Sequence, residues 1–447
     1  MNDSQRWSWA RGVRGGRAGW RVVSRGVLPI AVTFAGAPAC TDSPGNDGVG
    51  NDSGVPGLDA GGDGGVRPCD VHITPSDEDQ MRVQTALIDT PAGSTICFDA
   101  GVYRFTDQLT LTSRGVTLRG TADTVWDFRG QRVSARNGLL VTGSDFTIED
   151  FTIKNTPGDG VRVEGADRVT FRKLRVSWEP DALRPDDGGV GRSGAYAVYP
   201  VGSSKVLIED CEVSGARDAG LYVGQSRDII VRNNKVYANV AGIEIENSTD
   251  AEVYGNTVYD NTGGILVFNL PDLPMQDGRR ANVHHNDVRQ NNHQNFAIAG
   301  TTVAGVPVGI GILVLAADET DIHDNTFRSN DSTGVLIVSC FTNNSLMECT
   351  STAAGYDQFP QQTYVHLNTY EANGMKPDPA FALVNVTRLE DVVWDGDVDP
   401  DKPNMAVCLQ ETAGTFRNIN SRGFFANQST DPTPHQCTLP PLPPITL

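Results

Sequence analysis

Six side chains in the middle of the chain have types and spacing suited to chemistry on a sugar acid: Tyr199, Arg217, Asp218, Tyr222, Glu244 and Glu246. A carboxylate can abstract an acidic carbon-bound proton, and a tyrosine hydroxyl can return one or hand it to a leaving oxygen. An arginine can neutralise a uronate while this happens. Such a set would serve a polysaccharide lyase or a C5-epimerase. The candidate catalytic residues are therefore Tyr222, Glu244, Arg217 and Asp218, and the candidate substrate-binding residues are Tyr199, Tyr222, Glu244, Glu246 and Phe268. The plain alternative is a polar or sugar-stacking face without turnover.

A repeat must hold these residues. Segments 197–201 (AVYPV), 220–224 (GLYVG), 242–246 (GIEIE) and 264–268 (GILVF) are versions of one unit, with Val198, Leu221, Ile243 and Ile265 spaced 23, 22 and 22 residues apart. Leu139 and Val161 extend the ladder upstream, and Ile312 and Val335 extend it downstream. A fixed period in the low twenties marks a solenoid. Short strands, Gly/Asn corners and no helical periodicity select a parallel β-helix. The fold class is thus all-β, a parallel β-helix of at least eight coils of 22–23 residues. Strand alternation sends Ile243 and Ile245 inward and Glu244 and Glu246 outward. Neighbouring coils are about 5 Å apart, so Tyr222 and Glu244 should be neighbours. A corner column runs through Phe151, Leu174, Cys211, Asn234, Asn256, Asn286 and Asn325; stacked asparagines of this kind can pass amide hydrogen bonds between coils.

Three stretches break the period: 178–195, 270–281 and 292–309. Loops on a repeat scaffold commonly carry function. These would wall a groove whose floor is Tyr199, Val201, Tyr222, Gly224, Glu244, Glu246, Leu266 and Phe268.

The ends are distinct. Residues 1–39 hold six Arg, one Asp and a short apolar run, and end in Ala37-Pro38-Ala39, which reads as a cleaved targeting segment. Cys40 would then be either lipidated or simply the first residue of a secreted chain. Residues 40–68 form a Gly/Asp-rich linker, 69–354 the β-helix, and 355–447 the end of the solenoid and an irregular cap. Segment 75–88 has a Ser N-cap and an apolar stripe at Met81, Val83, Ala86 and Leu87, a short helix suited to capping an open end. The net charge is −19 overall and about −24 without the +5 targeting segment, which excludes nucleic-acid partners and leaves the lipid anchor as the only membrane contact. It also disfavours a polyanionic sugar unless a local cation reverses the sign. The eight cysteines lack zinc spacing. After export, local pairs Cys69–Cys97, Cys340–Cys349 and Cys408–Cys437 would close short loops, although six cysteines admit fifteen pairings, and Cys211 reads as a buried thiol. The run Asp395–Asp401 lacks the glycine and final glutamate of an EF-hand; it reads as a solvated acidic turn, with calcium as the alternative. No other cofactor or metal is expected. His284 and His285 read as surface residues.

The opening at 92–105 (AGSTICFDAGVYRF) resembles the first coil of pectate-lyase-like right-handed β-helix proteins, which implies a right-handed parallel β-helix. The segment 196–201 (YAVYPV) is similar to the Tyr-Gly-Phe-Asp-Pro-His segment of alginate C5-epimerases. Tyr196 and Pro200 match, but the family's catalytic Asp and His positions are Tyr199 and Val201; that mechanism does not carry over. The phrases GAYAVYPV, DAGLYVGQS, NVAGIEIENS, NTGGILVFNLPDLP, GIGILVLA and CTLPPLP resemble bacterial envelope β-helix repeat proteins, a family without an assigned activity. The resemblance implies fold and an extracytoplasmic place. The implied partner is a polysaccharide on the groove or a second exported envelope protein on the loops. A copper-maturation role like that of related β-helix proteins ranks behind both, since six Met and seven His form no soft-ligand motif.

Overall fold

A computed structural model describes residues 68–132, 137–179, 193–342, 356–403 and 407–447. They belong to one compact unit, Pro68–Leu447. The targeting segment, Cys40, the linker to residue 67 and most of the 178–195 insertion lie outside the described residues.

Each coil contributes one strand to each of three parallel sheets of 12, 11 and 10 strands, and together they form a right-handed parallel β-helix. The spaced hydrophobics fall in one register on the 11-stranded sheet: Leu139 pairs with Val161, Val161 with Val198, Val198 with Leu221, and so on through Ile243, Ile265, Ile312 and Val335. The same sheet runs on to Val392–Trp394 and Phe416–Asn418. Inward side chains of all three sheets fuse into one continuous core.

The corners follow from backbone chemistry. A single residue with positive φ follows each of eight consecutive strands of the 12-stranded sheet: Asp150, Lys173, Asp210, Asn233, Gly255, His285, Asp324 and Leu367. That conformation costs most residues about 1–2 kcal/mol, so something must repay it. The next residue supplies the compensation. Asn234, Asn256, Asn286, Asn325 and Asn368 point inward, and each Nδ2 donates to the next Oδ1 at 2.9–3.0 Å. Five residues further on, a second column repeats the device: Asn239, Asn261, Asn291, Asn330 and Asn373, linked at 3.0–3.1 Å and also preceded by left-handed residues. Each short strand of the 10-stranded sheet, such as Lys235–Tyr237, is thus bracketed by two asparagine corners. Cys211 heads the first column; its amide donates to Asn234 at 2.9 Å, and burial pushes its thiol up to about 12.

Both columns end on carboxylates. Glu411 accepts from Asn368 Nδ2 and from Tyr370, each at 2.7 Å, and Asp391 accepts from Asn373 at 3.3 Å. At the other end helix α1 (Asp79–Asp89) packs Val83 and Leu87 into the core. Met81, expected on the same stripe, is 59% exposed. The disulfides Cys69–Cys97 and Cys408–Cys437 form. Cys340 is disulfide-bonded, while Cys349 lies outside the described residues.

The loops correct the expected groove. The outward face of the 11-stranded sheet from Leu266 to Val393 is covered by a second apolar layer. Val303, Val306 and Phe296 of the 292–309 insertion, Leu270 and Leu273 of the 270–281 insertion, and Phe381, Val384 and Phe425 near the C-terminus form it. Leu266 and Phe268 are outward yet buried, because an apolar outward residue is more stable under a loop than in water. The acidic turn is also corrected. Asp395 and Asp397 are buried, held by the Ser339 amide and hydroxyl at 2.6 Å and by Thr342 at 2.7 Å.

The ladder predicts a large, specific penalty. Asn256→Ala leaves the donors of Asn234 without their acceptor, which should cost about 2–4 kcal/mol. Urea unfolding of residues 68–447 reads this; an unchanged midpoint would show that the column is decorative.

Candidate functional site

Upstream of Leu266 the outward face carries polar and aromatic side chains, and Tyr222 there is itself buried in the second apolar layer. Strands Val161–Glu164, Tyr196–Val201, Ala219–Gly224 and Ala241–Glu246 lie side by side there. Arg162 pairs in register with Tyr199, and Tyr222 with Glu244. Three tyrosines form a wall: Tyr199 stacks on Tyr222 with centroids 4.4 Å apart and planes at 10°, and Tyr196 tilts against both at 4.4 and 5.0 Å. Tyr222 lies along its own strand over Gly224, where any side-chain carbon would collide with its ring. Glycine there is what lets the tyrosine lie flat. The Tyr222 hydroxyl then donates to Glu246 at 2.6 Å, and Gln225 donates to the same carboxylate at 3.1 Å.

One cation is built into the rim. The Arg162 guanidinium sits 4.4 Å from the centroid of the Tyr199 ring and donates to Glu164 at 2.6 Å and Asp159 at 3.0 Å. Behind the tyrosines lie Asp218 and Glu244, both buried. Glu244 Oε2 has no hydrogen-bond partner among the described residues.

Burial and mutual repulsion set the charges. Burial raises Asp218 to about 7; Glu246 and Asp159 add to the rise, and a hydrogen bond from Tyr196 opposes it. Glu244 is held well above the usual carboxylate range by burial first, then by Glu246 and Asp218. Burial also raises Glu246, against the hydrogen bond from Tyr222. Asp159 is pushed up to about 6 by burial, with Arg162 opposing. Tyr199 is raised to about 12, mainly by burial, and Tyr222 is raised further by burial and Glu246. The site is therefore an excess of carboxylates against hydroxyls that stay protonated. It offers proton donors, one hydrogen-bonded acceptor and an aromatic wall.

Of the residues read from sequence, Tyr199, Tyr222, Glu244, Glu246 and Asp218 come together. Phe268, in register with Glu246 on the next coil, is buried in the same apolar layer as Tyr222. The Arg217 amide donates to Gly194 at 3.0 Å. Arg162, Asp159, Glu164 and Tyr196 were not among the sequence candidates. The signal for Arg162 and Glu164 was present, since they are the outward residues of the strand carrying Val161, one coil before the four that were read. His284 is no isolated surface residue. It stacks between Tyr254 and His323 at 5.1 and 4.9 Å, and His323 stacks on His366 at 4.9 Å. Among the described residues no group of three or more His, Cys, Asp or Glu is placed to hold a metal ion.

Asp218 gives a pH signature. Its folded value of about 7 stands above the ordinary 3.8, so the native state holds its proton more tightly than the unfolded chain. Its contribution is present below the unfolded value and is lost as pH rises through the folded value. Asp218→Asn keeps an acceptor for Tyr196 and removes this loss, so at mildly alkaline pH it should stabilise the fold by about 1–3 kcal/mol relative to the parent. Thermal melts on either side of neutrality read the difference; equal pH dependence in the two proteins would count against a buried, raised Asp218.

Residues 114–351 match the model of a right-handed β-helix region. Among solved structures, the chain is similar to the A-module of the Azotobacter vinelandii mannuronan C-5 epimerase AlgE4, with 17% identity, 76% of this chain and 92% of that one covered, and a TM-score of 0.47. It is also similar to a polygalacturonase from Erwinia carotovora (12% identity, 68% and 92% covered, TM-score 0.46) and to the periplasmic alginate epimerase AlgG (12%, 77% and 83%, 0.42). No curated protein matches the chain. With the family model spanning more than half of the 447 residues, and with three parallel sheets stacked coil on coil, the chain belongs to the right-handed β-helix family.

Proposed function

We propose that this chain is an exported envelope protein that binds a polysaccharide across the rim formed by Arg162, Tyr199 and Glu246. One observation carries the reading: a guanidinium lies on Tyr199, which stacks on Tyr222, whose hydroxyl is tied to Glu246. Aromatic rings beside fixed hydrogen-bonding groups suit a sugar ring, whose faces are apolar and whose edges are polar. The same wall places a protonated tyrosine beside a carboxylate, the pair that a lyase or epimerase needs, with Tyr222 as donor and Glu246 as acceptor.

A glycan array probed with residues 68–447, with and without calcium, tests the binding. Selective capture that falls about tenfold with Tyr199→Ala or Arg162→Ala supports the site, since losing one stacked or charged contact is worth about 1.4 kcal/mol. Capture that ignores both substitutions removes it. Bound polymers are then assayed for unsaturated ends and for solvent-proton exchange at C5. Membrane attachment through Cys40 belongs to the same proposal. Cys40→Ala should move the full chain from the membrane to the soluble fraction, and unchanged partition would remove the anchor.

A second reading, a non-enzymatic scaffold, is favoured by separate observations. Tyr222 and Glu244 are each 2% exposed, while Ile298 on the 292–309 insertion is 40% exposed and Phe424 is 90% exposed. An empty array together with a co-purifying exported protein lost on Ile298→Asp would establish it.

A further inference from the structure

We infer that the segment after Cys437 presents a proline ridge to a partner protein that carries an aromatic-lined groove. This goes beyond the polysaccharide reading and does not depend on it. Residues 437–447 (CTLPPLPPITL) belong to no helix or strand and carry no charged side chain. Their burial has a period of three: Leu439, Leu442 and Ile445 are partly buried, while Pro440, Pro441, Pro443 and Pro444 are exposed. Each proline ring fixes φ close to the polyproline II value, and that helix has three residues per turn. One edge of the segment therefore faces the protein. The other two edges are rows of proline, Pro440 with Pro443 and Pro441 with Pro444.

The β-helix holds this segment in place. Leu409 pairs with Gln436, Cys408 is bonded to Cys437, and a hydrogen bond links Thr438 to Tyr364. From there the segment crosses the outward face of the 12-stranded sheet. Leu439 and Leu442 line a cavity of about 230 Å³ with Arg280, Asp321 and Tyr364, and Leu442 and Ile445 line a smaller one with Ala251, Glu252 and Asn282. The sheet residues come from four neighbouring strands, Thr363–His366, Asp321–His323, Arg279–His284 and Thr249–Tyr254. One polyproline turn advances about 9 Å, close to two strand spacings of about 4.8 Å, so every third residue meets fresh strands. Aromatic-lined grooves take PxxP segments. This segment offers two such registers, starting at Pro440 and at Pro441, and both are turned outward. Because its third edge is docked, the entropy of ordering the ridge is already lost before a partner arrives.

The probes are two domains with grooves of this kind, a WW domain and an SH3 domain. Each is titrated by calorimetry against the 68–447 protein and against a free 438–447 peptide. At least one domain should bind the protein, and bind it several-fold tighter than the peptide, because the ridge is already ordered. Low and high salt should give nearly the same affinity, because no charged side chain lies on the ridge. Pro441→Ala combined with Pro444→Ala should weaken binding about tenfold. Both side chains are exposed, so the urea midpoint should not move. Three results would overturn the inference: neither domain binds the protein; the peptide binds as tightly as the protein or tighter, as a covered or loose flap would; or the double proline variant binds like the parent.

Discussion

Everything in this molecule depends on one recurring corner: a residue in the left-handed conformation followed by an inward asparagine. The first bends the strand sharply, and the second hides the bend by giving the adjacent coil's amide an acceptor. Asn256 shows the economy of the arrangement. Its Oδ1 takes both the backbone and side-chain donors of Asn234, while its own Nδ2 reaches Asn286 and the Val231 carbonyl. The oxygen and both amide hydrogens of the Asn256 side chain are thus used inside the protein, so the side chain can be buried. Because corners repeat in register, the strands between them stay short and parallel, and residues from distant parts of the chain arrive in straight columns.

Columns explain both the site and its limits. On the 11-stranded sheet the outward column changes character along the stack, from Arg162 and Tyr199 through Tyr222 and Glu244 to Leu266, Leu313 and Leu336. The apolar part is roofed by two insertions and the C-terminal region. The polar part adjoins that roof, and Tyr222 belongs to both. Glu244 sits at the junction, with Tyr222 on the preceding coil and Leu266 on the next, and among the described residues its buried Oε2 has no hydrogen-bond partner. The site is thus a boundary between two coverings of one sheet.

The period was legible because hydrophobic spacing and strand register are the same physical fact. Val198, Leu221, Ile243 and Ile265 must be equidistant if they are to stack. The first asparagine column was legible as far as Asn325; Asn368 was hidden by the long interruption before it, and the second column was missed although each member lies five residues after a member of the first. Alternation told outward from inward but not outward from exposed, since covering depends on where loops of irregular sequence return. Phe268 and Tyr222 are both outward by alternation and both buried in the second apolar layer. Asp395 and Asp397 were misread for a related reason: hydroxyls from Ser339 and Thr342, more than fifty residues upstream, satisfy them. The disulfides Cys69–Cys97 and Cys408–Cys437 could be guessed because their loops are short.

The asparagine columns also have a polarity. Every Oδ1 faces the preceding coil and every Nδ2 the following one, so the amides are aligned head to tail from Asn234 to Asn368, and Glu411 receives the last donor. Such a series can be lengthened or shortened only in whole links. A duplication or loss of one complete turn between Asn234 and Asn325 leaves both terminal partners in place. A gain or loss of a few residues within a corner turns an oxygen toward an oxygen or a donor toward a donor. Evolutionary change in the length of this molecule is therefore quantised, while the loops between quanta are free to vary.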